Sequence, residues 1–125
     1  MIGQLHEISL TTRTPFWGGA PEQFKPADPM NFAVHGSVYM GCEGDRRSIM
    51  FDFECMTPTW FAAHGWSEGF GYGDLSIRSG RGFFFVHSWD ATVLERHIRG
   101  VVEVEGETLD HIIEQIRLQL ICEDE

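Results

Sequence analysis

The sequence is poor in positive charge. It contains one lysine, Lys25, and only nine lysine and arginine residues against nineteen aspartate and glutamate residues, for a formal net charge of −10 at pH 7. Because proteins hold the phosphates of DNA and RNA mainly through lysine and arginine, this composition argues against a nucleic-acid-binding protein.

Long apolar runs and paired cysteines are also missing. A membrane-spanning helix needs about 20 apolar residues, whereas the longest evident run, residues 83–86, has the length of a strand. Residues 1–7 lack the basic start and apolar stretch of a secretory signal. Cys42, Cys55 and Cys122 are odd in number and widely spaced, which favours free thiols over a disulfide framework. We therefore expect a cytoplasmic protein with no membrane segment.

The chain does have the means to build a core. With 125 residues, 42% of them hydrophobic and ten of them phenylalanine, residues 1–125 are expected to form a single domain. Its clearest pattern is the alternation of apolar and other residues from Ile49 to Met56, which predicts a half-buried strand. Thr57 and Pro58 follow as the N-cap and first residue of a short helix that extends to His64.

Weaker patterns place the other strands. Residues 5–12 resemble a first strand, and residues 31–40 alternate again and are expected to pair with residues 48–56 in an antiparallel hairpin. Residues 13–30 contain too many prolines and glycines for a regular element and are read as a long loop. Residues 65–82, rich in glycine, predict a tight meander or a flexible flap with one more short strand. Residues 83–87 are apolar on both faces, which is typical of a central strand.

Two helices are predicted near the C-terminus. Asp90 is a natural N-cap for a helix of about 14 residues, and Thr108 can cap a second helix whose apolar positions run to Leu120. The expected fold is α+β: an antiparallel sheet of four or five strands, a short helix after the third strand, and two C-terminal helices packed on one face.

Candidate catalytic groups are few. Asp52 and Glu54 lie two residues apart on one strand, so their side chains share a face and could act as an acid and base pair or bind a divalent metal ion. His87, at the end of another predicted strand, could serve as a further base. The exposed face of a half-buried strand explains the same two carboxylates without chemistry. The sequence contains no H-E-x-x-H, C-x-x-C or G-x-S-x-G motif. We predict no catalytic residue, no metal site and no cofactor.

Negative charge is concentrated at the end of the chain. Residues 103–125 carry eight acidic residues and one basic residue, Arg117. Such a field attracts a basic partner and raises its association rate. Tryptophan is enriched at the energetic centres of protein interfaces, which makes Trp60 and Trp66 candidate contacts.

Three segments together resemble the immunity protein 8 family. They are Phe-Asp-Phe-Glu-Cys-Met-Thr-Pro-Thr-Trp at residues 51–60, Phe-Val-His-Ser-Trp-Asp at residues 85–90, and Gly-Glu-Thr at residues 106–108 before the last helix and the acidic ending 123–125. The resemblance covers about residues 48–125. Members of this family are small bacterial proteins encoded beside the toxins of polymorphic-toxin and contact-dependent inhibition systems. The chain departs from the family pattern at residues 120–122, where Leu-Ile-Cys stands in place of an aromatic-rich segment.

The resemblance implies a stoichiometric inhibitor of a cognate toxin domain and not an enzyme. We expect this partner to be the C-terminal domain of the toxin, and we expect it to be basic and of nuclease type. The candidate contact residues are Asp52, Glu54, Trp60, Trp66, Glu123 and Asp124. Two alternatives stay open: a small hydrolase or metal-dependent enzyme that uses Asp52, Glu54 and His87, and a module that binds a small ligand through residues 65–82.

Overall fold

The computed structural model describes residues 1–13, 15–64 and 82–122. Along these residues the elements are β1 (Gly3–Arg13), β2 (Phe16–Gly19), a short 3₁₀ helix (Pro21–Gln23), β3 (Ala33–Cys42), β4 (Ile49–Met56), α1 (Pro58–His64), β5 (Phe83–Phe85), α2 (Ala91–Val102), α3 (Leu109–Ile116) and β6 (Ile121–Cys122). The fold is α+β, as the sequence predicts.

Within the described residues the strands form one sheet of six. The order is β2-β1-β3-β4-β5, and β6 also pairs with β4. All pairs are antiparallel except β4 with β5. On the flank of β4 away from β3, β5 lies beside Glu54–Met56 and β6 lies beside Phe51 and Asp52. β4 is therefore the strand on which the middle and the end of the chain meet.

The core lies between one face of the sheet and the two C-terminal helices. Alternate residues of β3 and β4 are buried, as the period of two requires. The apolar side of each helix is buried in the same cluster; these helix residues are Leu94, Ile98, Val101 and Val102 of α2 and Leu109, Ile112 and Ile116 of α3. The packing of both helices on one face of the sheet agrees with the prediction.

Both predicted helix caps are formed. The Asp90 carboxylate accepts hydrogen bonds from the backbone amides of Thr92 and Val93, and the Thr108 hydroxyl accepts one from His111. Each cap satisfies amides that the first helical turn leaves without an intrahelical partner. The second helix is shorter than its apolar pattern suggests: α3 ends at Ile116, and Leu120 is buried in the turn that leads to β6.

The prediction of an unbroken loop at residues 13–30 is wrong. β2 lies inside this segment and pairs with residues 10–13 of β1. Trp17 packs against Phe24, whose ring in turn lies edge-on to Phe32 and Trp89 at centroid distances of 5.7 and 5.0 Å. This aromatic cluster supplies the burial that holds a segment rich in proline and glycine in a fixed conformation.

The strand predicted at residues 83–87 is shorter than expected and ends at Phe85. Within the described residues β5 is three residues long and ends the strand order. Phe84 stacks on Phe53 and meets His97 edge-on, whereas Phe85 meets Phe61 edge-on and stays 53% exposed. The predicted meander or flap and extra strand at residues 65–81 lie outside the described residues. No helix in the described part of the chain is long and apolar enough to span a membrane.

The core leaves no room for a side chain at Gly36. This residue pairs with Phe53 across β3 and β4, and an added Cβ would lie 2.1 Å from Cζ of the Phe53 ring. Gly36→Ala should therefore destabilise the protein by about 1–3 kcal/mol through overpacking. Gly100 of α2 is the matched control, because an added Cβ there meets nothing within 4 Å. Gly100→Ala should stabilise the protein by about 0.5–1 kcal/mol. Urea unfolding followed by circular dichroism measures both changes, and equal midpoints for the two variants would contradict the packing.

Candidate functional site

The face of the sheet opposite the helices is the main candidate for a functional surface. We define the open face as nine residues of three neighbouring strands, none of them fully buried: Glu7, Ser9 and Thr11 of β1, His35, Ser37 and Tyr39 of β3, and Met50, Asp52 and Glu54 of β4. The register aligns them in three rows. One row joins Glu7, Tyr39 and Met50, the next joins Ser9, Ser37 and Asp52, and the last joins Thr11, His35 and Glu54.

Two rows of the open face carry a hydrogen-bonded polar cluster. The Ser37 hydroxyl donates to Oδ1 of Asp52 over 3.0 Å. Nδ1 of His35 lies 2.7 Å from Oε1 of Glu54, and Nε2 of the same ring lies 3.5 Å from Oδ1 of Asp52. The imidazole thus stands between the two carboxylates. The Asp52 side chain is 13% exposed and that of Glu54 28% exposed, so both acids are held in place yet reachable from outside.

This arrangement differs from an activated nucleophile. A catalytic serine gives its proton to a histidine, whereas the Ser37 hydroxyl donates to the Asp52 carboxylate. A protonated His35 would form ion pairs with both acids, and the carboxylate oxygens offer acceptors for a lysine or arginine from outside. The chemistry that the cluster best supports is recognition of a cation.

The structure brings together part of the predicted set. Asp52 and Glu54 share one face, as the alternation predicts. Within the described residues, no hydrogen bond or ion pair joins His87 to either carboxylate, and His87 is exposed beyond the end of β5. The three residues of the hydrolase alternative are therefore not joined in one cluster.

Trp60 lies in α1, directly after the predicted helix start. Thr57 is fully buried, and its hydroxyl accepts a hydrogen bond from the Trp60 amide over 3.4 Å, which confirms the predicted cap. The half-buried indole stacks on His64 with ring centroids 4.9 Å apart. Trp66, Glu123 and Asp124 lie outside the described residues.

Sequence reasoning missed His35 and Ser37 as members of the cluster. Both were placed on the strand that pairs with β4, but their partners depend on the register of the β3–β4 hairpin. The alternation of polar and apolar residues in each strand could have revealed them, because residues 35 and 37 alternate with buried Val34, Gly36 and Val38. If the polar residues of the two paired strands are placed on the same face of the sheet, His35 and Ser37 lie beside Glu54 and Asp52.

The cysteines offer no prepared nucleophile. All three are free and buried. Burial raises the pKa of Cys55 to about 12 and also raises the pKa of Cys42, and the thiol form is a poor nucleophile. Within the described residues no group of three or more histidine, cysteine, aspartate or glutamate side chains could hold a metal ion.

Fold and surface together define a small α+β domain that carries acidic, pre-ordered side chains on the open face of its sheet. A family model described as Immunity protein 8 matches residues 12–121. The chain therefore belongs to the Immunity protein 8 family, and membership implies an immunity protein that acts against a toxin. The match begins well before residue 48, where the sequence resemblance was expected to start. A search of curated proteins and a search of solved structures each find no match.

Burial of the native thiols can be tested by chemical labelling. At pH 8, Ellman's reagent should modify the native chain at least about tenfold more slowly than the chain in 8 M urea, because only an exposed thiolate reacts. Ser9→Cys places a thiol on the open face and should add one rapidly modified thiol per chain. Rapid modification of the unchanged protein would contradict the burial of the three cysteines, and a Ser9→Cys variant as slow as the parent would contradict an accessible open face.

Proposed function

We propose that this protein is a cytoplasmic immunity protein that neutralises one cognate toxin domain by forming a stoichiometric complex, without catalysing a reaction. The observation that carries the proposal is the family match across residues 12–121. The open face is its physical counterpart, because two carboxylates stand there in fixed positions beside each other.

Charge supports a basic partner. The chain has a formal net charge of −10, and a field of this sign steers positively charged partners toward it. A toxin that cuts nucleic acid needs a positively charged surface to hold phosphates. We therefore propose a basic toxin of nuclease type, whose phosphate-binding surface the acidic domain covers.

Asp52, Glu54 and Trp60 are proposed as toxin contacts, with Trp66, Glu123 and Asp124 completing the set. The hydrogen bonds from Ser37 and His35 already restrict the two carboxylates, so binding a toxin lysine or arginine costs less side-chain entropy. Trp60 is half-buried in α1 and can still offer ring surface to a partner. Glu123 and Asp124 come next in the sequence after Ile121 and Cys122, which pair with Phe51 and Asp52.

The first test is protection by the whole protein. The toxin domain encoded immediately upstream should stop the growth of cells that produce it alone and not of cells that also produce this protein. Light scattering of the purified mixture should give the mass of a one-to-one complex. An unrelated nuclease toxin is the control and should remain active. The proposal would be refuted if the two proteins formed no complex and the cells were not protected. Turnover of a substrate that is lost when Asp52 or His87 is replaced would identify an enzyme instead.

The second test concerns the open face. The double variant Asp52→Asn with Glu54→Gln keeps side-chain shape and removes two charges. It should weaken toxin binding about tenfold, or roughly 1.4 kcal/mol, and make association less sensitive to salt. Glu107→Gln with Glu114→Gln removes the same charge from exposed positions around α3 and is the matched control. Stopped-flow association rates between 20 and 300 mM salt measure both. Equal losses in the two double variants would mean that only net charge matters and that the open face is not the contact.

A further inference from the structure

β1 has an unpaired stretch on its outer edge. Along this edge β2 pairs only with residues 10–13. At the other end the Gly3 amide donates to the Val104 carbonyl over 3.0 Å, and Ile2 forms an antiparallel bridge with Glu105. Within the described residues no strand pairs with residues 5–9 on this edge. The gap is about 17 Å long at 3.4 Å per residue, which is room for a strand of four or five residues.

The gap opens onto a groove. Residues 5–8 form one wall of a cavity of about 460 Å³, which residues 20–22 and the side chains of Glu95 and Arg99 on α2 close from the other sides. Ile8 and Pro21 are buried and Leu5 is half-buried, so the groove has an apolar base beneath the exposed strand edge. The strand edge therefore faces the groove at residues 5–8, which is most of the stretch without a strand partner.

The groove is acidic. Glu7, Glu22 and Glu95 line it, and the Glu103 carboxylate lies 3.5 Å from the Leu5 amide on the same edge. The lining also contains His6 and one arginine, Arg99, which is bound by Glu95 over 3.0 Å and by Glu103 over 3.1 Å. Since this guanidinium is already paired with carboxylates of the chain, the surplus charge around the edge is negative.

An unpaired strand edge with an apolar base and charged rims has the properties of a strand-addition site. Backbone hydrogen bonds give affinity there, and the rim gives specificity for charge. The groove is also continuous with the open face, because Glu7 belongs to both and stands in the row of Tyr39 and Met50. A second copy of this chain, itself acidic, is electrostatically disfavoured as the occupant.

We propose that residues 5–9 of β1 receive an extended, lysine- or arginine-rich segment of the cognate toxin, which adds to the sheet as a short strand between β2 and Val104. This inference rests on the proposed function and specifies the binding mode. In the complex the toxin strand continues the line of β2, its backbone pairs with β1, and its basic side chains contact Glu7 and Glu22.

Hydrogen exchange of the full-length protein tests the backbone pairing. The free protein should exchange the outward-facing amides of residues 6–9 rapidly, because no strand pairs with them on this edge. The Leu5 amide is left out of this comparison because it donates to the Glu103 carboxylate. Addition of the upstream-encoded toxin domain should slow exchange in this segment at least about tenfold. The amides of α3, on the helix layer, serve as the internal control and should change little.

Charge variants test the rim. Glu7→Lys with Glu22→Lys should weaken toxin binding at least about tenfold, and Glu107→Lys with Glu114→Lys, which changes net charge equally at exposed sites outside the groove, should weaken it much less. Melting temperatures of both double variants show whether either has lost its fold. If Glu7→Lys with Glu22→Lys unfolds the protein, Glu7→Gln with Glu22→Gln replaces it with a smaller expected loss.

The outcomes separate the two proposals. Wild-type binding and protection with unchanged exchange at residues 5–9 would overturn strand addition and leave the immunity function intact. If exchange at residues 5–9 slows when the protein's own concentration is raised without toxin, a second copy occupies the edge, and the strand-addition proposal is also overturned. Absence of any toxin binding by the wild-type protein would overturn both.

Discussion

The register between β3 and β4 is the constraint on which the rest of the structure depends. It pairs Val38 with Phe51 and Gly36 with Phe53 on the helix side, and Ser37 with Asp52 and His35 with Glu54 on the opposite side. A shift of one residue would turn the phenylalanines outward and bury the carboxylates. Core and open face are thus two consequences of one alignment, and neither can change alone.

Much of this could be read from the sequence because it depends on local physics. The period of two in residues 31–40 and 49–56 follows from strand geometry, and Asp90 and Thr108 are N-caps because their side chains reach the amides of their own helices. β2 could not be read in this way, since its four residues lie among glycines and prolines and are held by the contact of Trp17 with Phe24. The apolar run at residues 83–87 could not give the length of β5, since Phe84 is covered by the rings of Phe53 and His97 while Phe85 is 53% exposed.

The candidate site also has one part that local sequence predicts and another that only nonlocal contacts create. Alternation alone places Asp52 and Glu54 side by side. Their partners His35 and Ser37 stand 19 and 15 residues away in the chain, and only the pairing of two strands through the intervening turn brings them together. The groove beside β1 is further still from local prediction, since its walls come from β1, residues 20–22 and α2. A surface for binding another protein is built from such nonlocal contacts, which explains why the sequence points to the family more clearly than to the contact residues.

The two ends of the described chain are both tied into the sheet. Gly3 is bonded to the carbonyl of Val104, and Cys122 pairs with Phe51 on β4. These contacts join residues that are far apart in the chain, so they form only after the entropy of closing long loops has been offset. On the ribosome, β4 therefore cannot pair with β6 until Ile121 and Cys122 have emerged. A copy whose synthesis stops before Ile121 lacks the short strand that pairs with Phe51 and Asp52 and so leaves this flank of β4 uncovered.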